Sequence, residues 1–245
     1  MNEQQATQTN TSARLKRKQI VNKLLTALFI VALVLLLITV SIGLPIYCRF
    51  LYYIQINTLN LTEKTIWTYD EIKTAYDEVL DFCTLAWVTE FSAGVFKFSE
   101  SGAAHFADCK VLFNLNLSVM ICSAAAVLTL TVLHMCKIIE LVKIKGRAAY
   151  FWAAIAAVAL PVLLALIIAI VGFDRAFVAF HSVFFPGKSN WIFNSRTDEI
   201  INAMPQEFFM NCVIVIAMGL VALSAGLIIT DIVLRRKEKN AHREA

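Results

Sequence analysis

Four long apolar blocks, separated by polar stretches, dominate the pattern of this chain. They run over residues 24–46, 111–136, 148–172 and 208–234. Each block reaches the roughly 20 residues that an α-helix needs to cross about 30 Å of hydrocarbon. The pattern therefore predicts four transmembrane helices and an all-α, polytopic membrane protein.

The polar stretches divide the rest of the chain into two tails and three loops. These are a tail over 1–23, a loop over 47–110, a short loop over 137–147, a loop over 173–207 and a tail over 235–245. Residues 1–13 are rich in Gln, Thr and Asn and predict no regular structure. The first block is too long for a signal peptide and no A-x-A site follows it, so it predicts an anchor. Because no repeat interrupts the pattern, we expect a single membrane domain over 1–245.

Charge predicts which side of the membrane each loop faces. The two tails and the loop over 137–147 hold 14 of the 22 basic residues, which indicates that both termini are cytoplasmic. The loops over 47–110 and 173–207 then face outward, and they hold 13 acidic against 8 basic residues. With 59% hydrophobic and 16% charged residues, the net charge of +4 reflects membrane topology and does not indicate nucleic-acid binding.

The first outer loop carries two helical signals. Thr68 and Glu71 form the pattern of a capping box, and apolar residues then recur at helical spacing, which predicts an amphipathic helix that ends near Trp87. The other face of this helix is acidic. Further along, Gly102 predicts a turn, after which a helix runs from Ala103 directly into the second span.

Two histidines stand close to the outward ends of predicted spans. His105 precedes the second span and His181 follows the third, so both lie at one depth near the outer headgroups. The aromatic neighbours of His181 fit either an interfacial aromatic belt or a site that keeps the imidazole neutral, as a proton acceptor. Asp108 shares a helical face with His105 and could fix its tautomer or hold a cation, although an acidic helix start explains it equally well.

Other site chemistries find little support in the sequence. The chain has no H-E-x-x-H motif for zinc and no G-x-S-x-G motif for a serine hydrolase. The six cysteines follow no regular spacing, so we expect mostly free thiols. No cofactor is predicted.

Three segments together resemble the bacterial lipoprotein intramolecular transacylase family, known as Lit. They are "FSESGAAHFADCK" before the second span, "RAFVAFHSVFFPGKSNWIF" after the third, and "TDEIINAMPQEFF" before the fourth. The positions that carry the resemblance are His105, Asp108, Arg175, Phe180, His181, Phe184, Phe185, Trp191, Thr197, Asp198, Pro205, Phe208 and Phe209. The chain departs from the family pattern at Asn194 and Ser195, where members often have an acidic residue and a proline, and in its long polar amino-terminal tail.

The resemblance implies an enzyme with a lipid substrate. It would move the sn-2 acyl chain of a diacylglyceryl lipoprotein to the α-amine of the amino-terminal cysteine and yield a lyso-form lipoprotein, at the outer face of the cell membrane. His105 and His181 would transfer protons, with Asp108 orienting His105 and Arg175 near an oxyanion or headgroup. The residues expected to support the site or bind substrate and membrane lipid are Phe180, Phe184, Phe185, Trp191 and Asp198.

Two functions of other classes stay open at this point. A non-enzymatic four-span scaffold or sensor would use the acidic outer loop to bind a partner, and it would tolerate loss of both histidines. A metal-dependent membrane hydrolase would instead contain bound metal and respond to chelators.

Overall fold

A computed structural model describes residues 3–244 of the chain, with the side chains of residues 11–241 and 243. Within these residues the regular structure is helical, apart from an isolated bridge between Ile144 and Arg147. The helices are α1 (Glu3–Tyr47), α2 (Phe50–Thr58), α3 (Leu61–Lys64), α4 (Tyr69–Thr84), α5 (Glu100–Met135), α6 (Ala149–Val171), α7 (Phe173–Phe184), α8 (Ile200–Ala203) and α9 (Gln206–Glu244). The predicted all-α class is confirmed.

The helices α1, α5, α6 and α9 are each long and apolar enough to cross a membrane. They expose large apolar side chains such as Leu163 and Ile170, which are 56% and 81% exposed, as expected of surfaces that face lipid. The prediction of a disordered tail is wrong for residues 3–13, which continue α1. Once the apolar part has formed a helix, the costly nucleation step is complete, and each further residue that is fixed gains a hydrogen bond. Residues 1 and 2 lie outside the described part.

The chain is organised as two compact units. The first takes in the chain up to Ile38, Val119–Ala159 and the chain from Val221 onward. Its α6 buries the small side chains of Ala149, Ala153, Ala154 and Ala157, which lets helices approach closely. Arg147 donates to the buried Asp231 at 2.7 Å and so ties the loop before α6 to α9.

The second unit consists of Thr39–Ser118 and Leu160–Leu220. Its core is aromatic: the rings of Tyr52 and Tyr76 stack at 3.7 Å between centroids, and Phe208 meets Tyr52 edge-on. The hydroxyl of Tyr52 donates to the carbonyl of Ala203 at 2.7 Å, so this buried polar group is satisfied. Helices α2, α4, α8 and the start of α9 are thereby held together.

Helix α4 begins as the sequence predicts and ends earlier. Thr68 and Glu71 form the capping box, each bonding the other's backbone N–H. The helix ends at Thr84 rather than near Trp87, and Lys110 of α5 donates to the carbonyls of Leu85 and Val88 that follow it. Lys110, which is distant in sequence, thus binds carbonyl groups that a longer helix would have used for its own hydrogen bonds.

The acidic face of α4 is partly neutralised within the second unit. Asp77 accepts hydrogen bonds from Arg49 at 3.2 Å, Lys73 at 2.7 Å and the hydroxyl of Tyr53 at 2.7 Å. Asp81 forms a further ion pair with Arg49. These carboxylates therefore hold α2 against α4 and offer less free charge to a partner than the sequence suggests.

Candidate active site

The two outer-loop histidines meet in the second unit. His105 lies on α5 and His181 on α7, and their ring centroids are 5.8 Å apart. Both imidazoles are buried, with 6% and 7% of their surface exposed. Such a pair can both accept and donate protons within one small space.

His181 is held by its own helix. Gly172, at φ +84°, ends α6 in the left-handed region and lets α7 start in a new direction. Along α7 the Nδ1 of His181 lies 2.8 Å from the carbonyl oxygen of Phe177. Because a carbonyl can only accept, Nδ1 carries the proton and Nε2 keeps a lone pair. Burial lowers the pKa of His181, and the bond to Phe177 partly opposes that shift.

The start of α5 sets the position of His105. Ser99 caps the helix by accepting from the backbone N–H of Gly102 at 3.0 Å. The Ser99 backbone N–H and hydroxyl donate to Asp198 at 2.9 and 2.7 Å. The prediction that Gly102 forms a turn before the helix is wrong, because α5 begins at Glu100. Glycine is required there by close approach, since a Cβ would lie 2.3 Å from an Asp198 oxygen.

Asp198 is a buried structural anchor. The hydroxyl of Thr197 donates to its second oxygen at 2.9 Å, so both carboxylate oxygens are used. Burial favours the neutral acid, but the hydrogen bonds from Ser99 and Thr197 outweigh it and lower the pKa of Asp198. Glu199 extends this clamp by accepting from the N–H of Lys97 at 2.8 Å. Asp198 therefore supports the site through Ser99 and α5.

The ring of His105 has one nitrogen in contact and one without a partner. Its Nε2 lies 3.5 Å from Sγ of Cys109, one turn further along α5. Its Nδ1 is buried and makes no hydrogen bond to any residue that the structure describes. The rings of Phe185 and Phe193 pack on His105 with centroids 4.8 and 5.5 Å away. Nδ1 is thus the ring nitrogen whose hydrogen-bonding capacity is not used by the described residues.

Asp108 occupies a different place from the one expected. Its carboxylate accepts from Nζ of Lys188 at 2.5 Å and from Nδ2 of Asn190 at 2.9 Å. A direct hydrogen bond from His105 to Asp108, which would orient the imidazole, is therefore not observed, because both carboxylate oxygens accept from the loop after α7. Asp108 instead ties that loop to α5.

The predicted aromatic residues divide into rings that pack on the imidazoles and rings that are largely exposed. Trp191 stacks on His181 at 4.6 Å between centroids, and Phe185 is 5% exposed and contacts both imidazoles. Phe180 and Phe184 pack on each other beside His181, and each leaves 49% of its surface open. Phe185 and Trp191 hold the histidines in place, whereas the exposed rings offer an apolar surface.

Arg175 is not brought to the histidine pair. It is exposed on α7, six residues before His181, and at 3.6 residues per turn the two side chains point to different faces. Among the residues that the structure describes, no three His, Cys, Asp or Glu side chains are grouped as metal ligands.

Several contacts of the site were missed at the sequence level. Lys188 and Asn190 pair with Asp108 across about 80 residues of chain, a separation at which sequence carries no pairing signal. The spacing of Phe173, Phe177 and Phe184 does carry a helical signal that predicts α7, since these residues recur at intervals of four and seven.

Comparisons with known proteins agree with this architecture. A structure of the membrane integral lipoprotein intramolecular transacylase Lit from Bacillus cereus matches with a TM-score of 0.79 and 24% identity, over 93% of this chain and 100% of that one. Two variants of the same protein, with a histidine replaced by arginine or by alanine, match with TM-scores of 0.78 and 0.77 at 23% identity. They cover 94% and 92% of this chain and 99% of theirs. These likenesses show a common fold.

The family model described as "Lipoprotein intramolecular transacylase Lit" matches residues 27–209, which include both histidines. A search of curated proteins found no match. Since the matched region covers well over half of the chain, the protein belongs to the Lit family of integral membrane lipoprotein transacylases.

Proposed function

We propose that this protein moves the sn-2 acyl chain of a diacylglyceryl lipoprotein to the α-amine of the lipoprotein's amino-terminal cysteine. The observation that carries the proposal is the buried pair of His105 and His181, 5.8 Å apart between centroids. The amine attacks the ester carbonyl, the carbon–oxygen bond to glycerol breaks, and the amine's proton ends on the glycerol oxygen. The atoms balance within the lipoprotein, and no co-reactant is consumed.

His181 is the proposed base. Its Nδ1–H is engaged by the Phe177 carbonyl, so Nε2 can accept the proton that the attacking amine loses. An α-amine with a pKa near 7.7–8.0 needs only a mild base. Since burial lowers the pKa of His181, the imidazole is in its basic form at neutral pH.

His105 is proposed to stabilise the oxyanion that forms at the ester carbonyl. Its buried, unpartnered Nδ1–H would donate a hydrogen bond to the oxyanion, while Nε2 rests against Cys109. The proton that His181 accepts from the amine would then pass to the departing glycerol oxygen. A ring packed between Phe185 and Phe193 has little freedom to turn, so this nitrogen keeps its direction. Holding amine and ester together would contribute most of the acceleration, up to about 7–11 kcal/mol in well-oriented systems.

The exposed rings of Phe180 and Phe184 are the proposed contact for the acyl chains. They lie beside His181 and form an apolar surface at the edge of the buried pair. Trp191 would close the opposite side through its stack on His181. A lipid substrate could then keep its chains in the bilayer while its esters reach the imidazoles.

We further propose that both termini are cytoplasmic and that the site faces outward. The supporting observation is the concentration of Lys and Arg in 1–23, 137–147 and 235–245. Reporter fusions or thiol labelling on each side of the membrane test this. If single cysteines in 47–110 are labelled from the cytoplasmic side, the proposed orientation is wrong.

The decisive assay for the reaction is tandem mass spectrometry of a synthetic diacylglyceryl lipopeptide. Because the acyl shift is an isomerisation, the intact mass stays unchanged, and an N-acylcysteine fragment identifies the product. We expect His105→Ala and His181→Ala each to slow product formation by roughly 10²–10⁴-fold, the usual worth of general acid–base catalysis.

A matched control keeps the histidine experiment specific. His134 lies on α5 as well, but in the first unit, where its ring contacts the backbone of Ile139 and Leu141. His134→Ala should retain full conversion. Normal conversion by His105→Ala or His181→Ala would remove that residue from the mechanism.

A further inference from the structure

Two buried polar atoms without a partner lie in the same part of the second unit. Within the described residues, the buried side-chain atoms that make no hydrogen bond are Nδ1 of His105, Oδ1 of Asn190 and Oγ of Ser224. Burying a polar group unpaired costs free energy, so such atoms are rare and call for an explanation. The proposed mechanism uses the first of them and leaves Asn190 unexplained.

Asn190 is tied to both histidine-bearing elements. Its Nδ2 donates to Asp108, which stands three residues after His105 on α5. Its chain neighbour Trp191 stacks on His181. The amide is therefore connected to both elements that position the histidine pair, through Asp108 on α5 and through the chain next to Trp191.

The orientation of the Asn190 amide follows from its neighbours. An ionised carboxylate only accepts hydrogen bonds, so the amide must turn its NH₂ toward Asp108. Lys188 holds the same carboxylate at 2.5 Å and supports its ionised state. Oδ1 is consequently presented on the other side of the amide, as an acceptor with a fixed direction.

The chemistry of this atom selects its ligand. Oδ1 can only accept, so its partner must supply an N–H or O–H group. A carboxylate in this position would stabilise an ammonium ion, raise the pKa of the amine and suppress its nucleophilic form. A neutral amide binds an amine without that penalty, and Lys188 already balances the charge of Asp108.

We propose that Oδ1 of Asn190 binds the primary α-amine of the lipoprotein substrate and orients it for attack. This subsite rests on the function proposed above. One amine N–H is bound by Asn190 and the other faces Nε2 of His181. The nitrogen lone pair is then free to point at the ester carbonyl.

A pair of non-reacting lipopeptides tests the subsite. Both carry ether links in place of the glyceryl esters; one keeps the α-amine and the other has hydrogen in its place. Their inhibition constants against a converting ester substrate are measured with purified, detergent-solubilised full-length protein. A neutral hydrogen bond is worth roughly a 3- to 10-fold preference for the amine ligand in the wild type.

Asn190→Leu keeps the approximate shape of the side chain and removes the acceptor, so the preference should fall to about 1. Asn190→Ala is judged by the same ratio, which keeps the test valid if leucine impairs folding. Asn202→Leu is the matched control, because its amide bonds Ser195 in the same loop; it should keep the wild-type preference.

The outcomes separate the subsite from the reaction. A wild-type preference of 1, or an unchanged preference in either Asn190 variant, overturns the subsite. Equal weakening of both ligands with the preference intact does the same, since it reveals structural damage alone. If the wild type fails to convert the ester substrate at all, the proposed function itself is wrong.

Discussion

Replacing Gly102 by alanine tests how the fold holds His105 in place. A Cβ on Gly102 would lie 2.3 Å from Oδ1 of Asp198 and 3.2 Å from its Cγ, and real Cβ atoms essentially never approach closer than 3.0 Å. The carboxylate must therefore move by about 1 Å to reach an ordinary contact distance. That movement takes it away from the N–H and hydroxyl of Ser99.

Two opposing effects set the size of the change. Hydrogen bonds to a charged group contribute about 1.5–3 kcal/mol each, and the two bonds from Ser99 would be weakened or lost. Alanine is a better helix former than glycine by up to about 1 kcal/mol, which acts in the other direction. We expect Gly102→Ala to destabilise the protein by about 1–4 kcal/mol.

The effect of Gly102→Ala on stability should change sign when the carboxylate of Asp198 is removed. In an Asp198→Ala background only the helix propensity remains, so Gly102→Ala should be neutral or stabilising by up to about 1 kcal/mol. The assay is thermal unfolding of wild type, both single variants and the double variant in detergent. Gly226→Ala is the control, since this glycine of α9 has nothing within 4 Å. An equal effect of Gly102→Ala in both backgrounds would refute the clamp.

Three further predictions concern protons, a thiol and an ion pair. The kcat/KM of the acyl shift should fall tenfold per pH unit below the pKa of the substrate amine, because only the neutral amine attacks. Below the pKa of His181, which burial lowers from its ordinary value of 6.5, kcat/KM should fall a hundredfold per pH unit, because amine and imidazole are then both protonated. A pH–rate profile without this second break would contradict the prediction. Cys109→Ala should slow conversion about 2- to 10-fold by removing the contact to His105, and Cys109→Ser should restore it; equal rates in the lipopeptide assay would make the thiol irrelevant. Asp231→Asn should lower the free energy of unfolding by about 2–4 kcal/mol, because a neutral amide replaces the buried carboxylate that balances the charge of Arg147. An unchanged thermal unfolding curve would refute that.

The sequence predicted those features that depend on local pattern. Four apolar blocks, the capping box at Thr68 and the continuous helix through His105 are all read from neighbours within a few residues. For His105 and His181 the sequence predicted a common depth in the membrane, and the 5.8 Å between their ring centroids agrees with that prediction. In a membrane protein, the distance of a residue from the end of a span predicts its depth in the bilayer, and soluble proteins offer no comparable reference.

Features that depend on distant contacts could not be predicted. Helix α4 ends early where Lys110 binds its trailing carbonyls, and Asp108 turns to Lys188 and Asn190 rather than to His105. Gly102 shows the same limit. A glycine near a helix start predicts a turn from sequence, whereas in the structure glycine is needed because the carboxylate of Asp198 lies too close for a Cβ.

The central claim is that His105 and His181 act as one catalytic unit. Single-turnover conversion of the diacylglyceryl lipopeptide, followed by tandem mass spectrometry, should be compared among wild type, both single alanine variants and the double variant. Groups that act together are strongly non-additive, so the double variant should react no more slowly than the slower single variant, within about threefold. Rate losses that multiply in the double variant, or a single variant that converts at the wild-type rate, would contradict the claim.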